Sequence, residues 1–185
     1  MKKYRMLTFI FDVPVVAIIS YCLIYHFCKA GFTLSGFVIS LIFFGVIPLF
    51  AWTYLIKHPA DYNGERKMSF IIDIMSYPIG FILLIAIKGN RIFSALALSY
   101  LLNAVVLLAI NKAGYKASGH GAGVAGPATA LTILFGAMGA ISFLFLVPVF
   151  YGKIKLKDHT FQQLVAGSVI SILLTYLSFT FMGIV

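Results

Sequence analysis

The chain has 185 residues, of which 62% are hydrophobic and only 10% charged, a balance far outside that of soluble globular domains. That excludes a soluble enzyme or binding module and specifies an integral membrane protein, whose length is divided by the roughly 20 apolar residues one helix needs to cross a bilayer. The formal net charge of +9 is not a nucleic-acid footprint, because the basic residues sit in short loops between apolar runs, where lipid topology accounts for them.

In chain order, the amino terminus MKKYRM precedes a long apolar run and has the charge order of a secretory signal. Asp12 and Pro14 interrupt that run, no small-residue cleavage site leads into a soluble domain, and more spans follow, so it is read as a retained first helix. Cys22 and Cys28 lie on it six positions apart, a separation that does not put them side by side. They argue for neither a disulfide framework nor a zinc site.

Spans are predicted over 13–29, 33–56, 69–87, 92–111, 121–137, 139–152 and 159–182, all helical because lipid offers backbone polar groups no other partner. The charge-free run 121–152 decides between six spans and seven. As one helix it would be about 48 Å long against a hydrocarbon core of roughly 30 Å, so seven are preferred, with the turn at Gly136 and Gly139. No internal repeat or low-complexity segment is evident. The expected architecture is all-α, a polytopic transmembrane helix bundle forming one domain over residues 1–185.

This partition puts the loops 57–68, 112–120 and 153–158 on one face, because a helical hairpin separates each from the next. They read KHPADYNGERKM, KAGYKASGH and KIKLKD and carry most of the charge, with His120 and His159 at their ends. If they meet, Arg66, Lys116 and Lys153 supply cations. Ser118 and the amides of Gly119 to Gly121 open a helix whose first N–H groups lack intrahelical partners, which makes an anion cradle. Glycines there let an oxyanion approach the main chain. Two histidines add a nucleophile and a proton donor. Phosphoryl transfer is the reaction that needs all of these parts.

At these residues the chain resembles the type 2 phosphatidic acid phosphatase superfamily of membrane lipid phosphatases. The family's second motif, P-S-G-H, is matched by Ala117-Ser118-Gly119-His120 except at the proline. Its third, S-R-x5-H-x3-D, is matched in GKIKLKDHTFQQ by Lys153 in the arginine position, His159 in the histidine position and Gln163 in that of the aspartate. The continuation HTFQQLVAGS resembles the H-T-x-x-Q-x-x-A-G form of small prokaryotic members. The first motif, K-x6-R-P, is poorly kept: DYNGERKMSF offers Arg66 and Lys67, with Ser69 where the proline would be. The resemblance covers about residues 57 to 170.

The resemblance implies a vanadium-haloperoxidase-like helical core and a metal-independent phosphatase acting on a lipid phosphate or diphosphate, with no cofactor. It implies His159 as the nucleophile that forms a phosphohistidine and His120 as the acid for the leaving group. Arg66, Lys116, Ser118, Gly119 and Lys153 would hold phosphate oxygens. Gln163 can orient the His159 ring but cannot stabilise an imidazolium as a carboxylate does. Lys153 is a point charge and not the planar fork of arginine.

Other readings stand beside this one. Small residues around Ser118 are also what packs membrane helices together. Lys155 and Lys157 read as topogenic, and His26 and His58 as structural. Asp73, an acid inside a span, is expected to pair: it either bridges a motif cation or stands in for the missing aspartate, with Lys67 a further supporting cation. A second function class is a catalytically inactive membrane protein that binds lipid phosphate headgroups or transports a small anion.

With seven spans, eleven basic residues fall on the side of the amino terminus and the motif loops: Lys2, Lys3, Arg5, Lys57, Arg66, Lys67, Lys112, Lys116, Lys153, Lys155 and Lys157. Three fall on the other: Lys29, Lys88 and Arg91. Loops rich in Lys and Arg stay in the cytoplasm, so the site is expected on the cytoplasmic side of the cell membrane.

Overall fold

Asp12 divides the first apolar run into two helices. In the computed structural model, which describes residues 2–28, 31–58 and 61–185 with the side chains of Lys2, Lys3, Leu7 and Tyr62 excepted, α1 (Lys2–Ile10) gives way to α2 (Val13–Cys28). An Asp12 carboxylate oxygen accepts from the Val13 amide at 2.9 Å, satisfying one of the unpaired donors that open α2, and Pro14 has none to satisfy. The apolar segment formed by the two helices, Tyr4–Cys28, begins earlier than the expected 13–29.

The second crossing, Leu34–Lys57, is assembled from α3 (Leu34–Leu41), a π-helical turn Ile42–Val46, α4 (Ile47–Leu49) and α5 (Trp52–Lys57). The third departs from expectation at its start. Asp61 accepts from the Gly64 amide at 2.8 Å, an N-cap that starts α6 (Tyr62–Ala86) well before residue 69. Arg66 and Lys67 are therefore helical, not loop residues. Asn90 caps α7 (Arg91–Lys112) through the Ile92 amide.

The run 121–152 folds as a hairpin. Ser118 caps α8 (Gly119–Phe135), Gly136 ends it at φ +59°, and α9 (Ala137–Ala140), a 3-10 stretch Ile141–Phe145 and α10 (Leu146–Lys155) return alongside. The left-handed conformation at Gly136 strains any residue with a Cβ, and a Cβ on Gly139 would collide with the Leu131 carbonyl. Both glycines expected at the turn are thus required by it. α11 (Phe161–Phe181) closes the chain with a Thr160–Gln163 capping box.

Among the described residues six helices are long and apolar enough, by length and composition, to cross a membrane, and the segment expected at 121–137 is not one of them. That segment is α8, whose 17 residues lie at the short end of the membrane-spanning range, yet it meets little lipid. It is enclosed by protein instead: every residue from Gly121 to Leu131 is buried. Its small side chains permit that. A Cβ at Gly121 would come within 2.6 Å of the Leu164 carbonyl oxygen of α11, and Gly123 faces Val13 of α2. The Ser171 hydroxyl of α11 donates to the Ala122 carbonyl at 2.8 Å.

The outward faces carry exposed apolar rows, such as Ile71, Met75, Ile79 and Ile82 on α6 and Val165, Val169, Leu173 and Leu177 on α11. In water such contiguous surface would drive association; in a bilayer it is the lipid contact. The chain is a multi-pass membrane protein.

Candidate functional site

The basic end of the bundle opens into a cavity of about 140 Å³. Its mouth gathers Arg66 from α6, Lys116 and His120 at the start of α8, Lys153 from α10, and Asp158 and His159 from the following turn. The three segments expected on one face do meet. The Ser118 amide donates to the Gln163 carbonyl at 3.1 Å, and Gly167 packs on the Ser118 backbone with no room for a Cβ. The two strongest sequence blocks are thereby fastened to each other through main chain.

His120 and His159 face one another with ring centroids 6.3 Å apart. The state of His159 follows from its neighbour. Gln163 Oε1 accepts the Thr160 amide at 3.1 Å and lies 3.3 Å from His159 Nδ1. A backbone N–H demands an acceptor, so the amide is fixed with its oxygen inward and Nδ1 must carry the proton. Nε2 then keeps its lone pair. Burial first, then repulsion from Lys116 and Arg66, pushes His159 from 6.5 down to about 4, with the Gln163 hydrogen bond opposing. It is a neutral imidazole at neutral pH.

His120 is the more surprising residue. Its Nε2 lies 3.4 Å from Asp12 Oδ1, and the other Asp12 oxygen accepts the Trp52 indole N–H at 2.7 Å. Burial, then Lys153, His159 and Arg66, hold the free imidazole well below its ordinary 6.5. The Asp12 carboxylate, 3.4 Å away, is the group placed to pair with its protonated form.

The cations are braced. Lys116 donates to the Asp158 carbonyl at 3.0 Å, Lys153 lies 3.4 Å from the Asp158 carboxylate, and Arg66 donates to Asn111 Oδ1 at 2.7 Å while lying over the Phe70 ring. Burial, followed by repulsion from Arg66, lowers Lys116. A bound anion would relieve that repulsion.

Of four further expected site residues, Gly119 keeps its place and the other three take different ones. Ser118 is fully buried, and its hydroxyl accepts from the Gly121 amide at 3.3 Å as a helix cap; it shapes the cradle without lining it. Gly119 lines the cavity, with open space where a Cβ would stand. Lys67 is exposed and outside the cavity lining. Asp73 lies on the cavity wall deeper in the bundle. Asp73 is in neither of the ion pairs Asp12–His120 and Lys153–Asp158; its carboxyl is hydrogen-bonded by Tyr77 and Ser69, and His159 Nδ1 is met by Gln163.

Asp12, Trp52, Glu65 and Asn111 were not singled out for the site. The signal that pointed to Asp73, an acid inside an apolar run, was equally present at Asp12; there it marked only the interruption of a span.

Comparison with protein-family models, with curated proteins and with solved structures found no match to this chain.

Proposed function

We propose that this protein is a membrane phosphatase that hydrolyses a lipid phosphate or diphosphate through a phosphohistidine, in the manner of the type 2 phosphatidic acid phosphatases it resembles. The observation that carries the proposal is the His120–His159 pair, 6.3 Å apart at a cavity mouth that also holds Arg66, Lys116 and Lys153. Binding an anion needs cations and amides; it does not need a neutral imidazole with a fixed Nε2 lone pair opposite a second histidine braced by a carboxylate.

The chemistry runs in two displacements. Arg66, Lys116, Lys153 and the amides from Gly119 onward hold the phosphate oxygens and stabilise their charge. His159 Nε2 attacks phosphorus and the P–O bond to the leaving group breaks; the leaving oxygen takes the proton of protonated His120. Neutral His120 then accepts a proton from water, whose oxygen attacks phosphorus. The P–N bond breaks, releasing inorganic phosphate and restoring both histidines. No step in this sequence calls on a metal.

Lipid is the favoured substrate carrier because a separate apolar groove of about 570 Å³ starts beside the site. Its wall runs from Ile10 and Phe11 along α2 to Phe27, with Val124 and Leu131 of α8 opposite. A hydrocarbon chain fits such a wall. The excess of Lys and Arg at this end of the bundle favours a cytoplasmic site.

The experiment is phosphate release by the purified protein from short-chain phosphatidate and isoprenyl diphosphates with EDTA present. Release that survives chelation and disappears in His159→Ala is expected. Release abolished by chelator would refute this mechanism, and binding without release would favour the non-catalytic headgroup binder.

A further inference from the structure

The cations occupy only the mouth of the cavity. Below them its wall continues about 9 Å along α8, from His120 to Gly126, and about 16 Å along α6, from Arg66 to Tyr77, at 1.5 Å per residue. A cavity meant for hydrocarbon would be apolar at that depth. Among Ala104, Gly126 and Pro127 the lining there carries Asp73, Tyr77, Ser99, Tyr100, Asn103 and Ser171.

Part of this floor is satisfied within the protein. Ser99 pairs with Thr175 at 2.8 Å, and Ser171 donates to the Ala122 carbonyl. The Tyr77 hydroxyl reaches the Asp73 carboxyl, but the Tyr100 hydroxyl and Oδ1 of Asn103 have no hydrogen-bond partner, in side chains only 5% and 8% exposed. The Asn103 amide nitrogen donates to the Ser99 carbonyl at 2.8 Å, which leaves the oxygen as the free atom. A buried unpaired polar atom is costly to the fold, and lipid cannot relieve it. The floor as a whole asks for donors, because Asn103 Oδ1 and the Asp73 carboxylate can only accept when the acid is ionised, while the tyrosines can do either.

We infer that the cavity floor is a binding subsite for a hydrogen-bond-donating polar group, an ammonium or hydroxyl, carried on the same molecule as the phosphate and held by Asp73, Asn103 Oδ1, Tyr77 and Tyr100. The inference rests on the reading of the mouth as a phosphate site and narrows its substrate. The molecule is a phosphate ester with a donor-bearing polar arm; a lipid chain on it lies in the separate apolar groove.

The test is calorimetric titration of the full chain in detergent, carrying His159→Ala so that turnover does not intervene. The ligands are inorganic phosphate, propyl phosphate, glycerol 3-phosphate and phosphoethanolamine. At least one donor-bearing ester is expected to bind tenfold or more tighter than propyl phosphate. Tighter phosphoethanolamine assigns an ammonium to Asp73, and tighter glycerol 3-phosphate assigns hydroxyls. Tyr100→Phe and Asn103→Leu should each erase that preference and leave the affinity for inorganic phosphate unchanged. Because Tyr100→Phe removes only an unpaired hydroxyl, its melting temperature should not fall. Propyl phosphate binding as tightly as the other esters, while inorganic phosphate still binds, overturns the subsite alone; so does a marked loss of thermal stability in Tyr100→Phe, which would make the hydroxyl part of the fold. If none of the four binds, the phosphate reading falls and the subsite with it.

Discussion

Asp12 Oδ1 lies 3.4 Å from His120 Nε2, and the same carboxylate is held by the Trp52 indole and the Val13 amide. An acid fixed by two donors cannot swing away, so its charge bears on the imidazole. Asp12→Asn keeps the shape and an acceptor for Trp52 but removes that charge. The expected result is a fall in kcat of about 100-fold, within the range for loss of general acid catalysis, with KM little changed. The high-pH limb of kcat should also move to lower pH, because losing a nearby negative charge makes His120 harder to protonate. An unshifted limb would reduce Asp12 to a structural anchor.

The pH dependence follows from both histidines. The proposed mechanism requires His159 neutral and His120 protonated. His159, at about 4 in the free protein, loses activity only as pH falls through that value. His120 is held well below 6.5, so kcat/KM should decline as pH rises through its lowered value, below 6.5. A bound phosphate dianion offsets the field of Lys153 and Arg66 and raises His120, so the upper limb of kcat should lie at higher pH than that of kcat/KM. Lys153→Met should move the kcat/KM limb upward for the same reason. Coincident upper limbs in the two profiles would contradict His120 as the acid.

Gln163 is expected from the sequence to orient His159, and an aspartate there would restore the family pattern. The capping box changes which acid to introduce. Oε1 serves both the Thr160 amide and His159 Nδ1, and only a side chain of glutamine length reaches both. Gln163→Glu should therefore keep the helix start and raise kcat several-fold, since the carboxylate stabilises the developing charge on His159. Gln163→Leu, which frees the ring, should lower kcat about tenfold or more. These are read by single-turnover phosphate release at fixed pH. Equal rates for the Glu and Leu variants would show that the residue acts only on the fold.

Topology can be read by labelling. Asn63 is exposed at the cavity mouth. In a background lacking Cys22 and Cys28, a cysteine replacing Asn63 should resist a membrane-impermeant maleimide in intact cells and react after lysis. Ready labelling in intact cells would place the site outside and redirect the proposal to outer-leaflet substrates. Lys29, counted on the opposite side, lies outside the described residues, as do the side chains of Lys2 and Lys3; the end assignment rests on the others. At the far end the Asn90 side chain meets the Gly31 carbonyl, and Lys88 and Arg91 flank it.

Much of this protein was written locally. Hydrophobic runs of membrane length give helices wherever they occur, because the backbone has no alternative in lipid, and Gly136 could be read as a turn because two helices of ordinary length fit where one long helix did not. Ser118-Gly119-His120 and His159 to Gln163 were legible because a helix start and its following turn lie within a few residues of chain.

Where those pieces meet was decided by tertiary structure. Asp12 and Trp52 come together only because the helix between them folds back, and His120 joins them only because Gly123 lets α8 close on Val13. No local pattern records such an approach; it depends on side chains missing from one helix and filling another. The polar floor has the same origin: Asp73 stands out in α6 as an acid inside a span, but only the packed bundle brings it to the same cavity as Tyr100 and Asn103 of α7. Composition and periodicity determined that the chain crosses a membrane and which charged turns gather at one end of it. Packing decided which acid stands against which histidine, because the distance between two side chains belongs to the bundle and to neither helix alone.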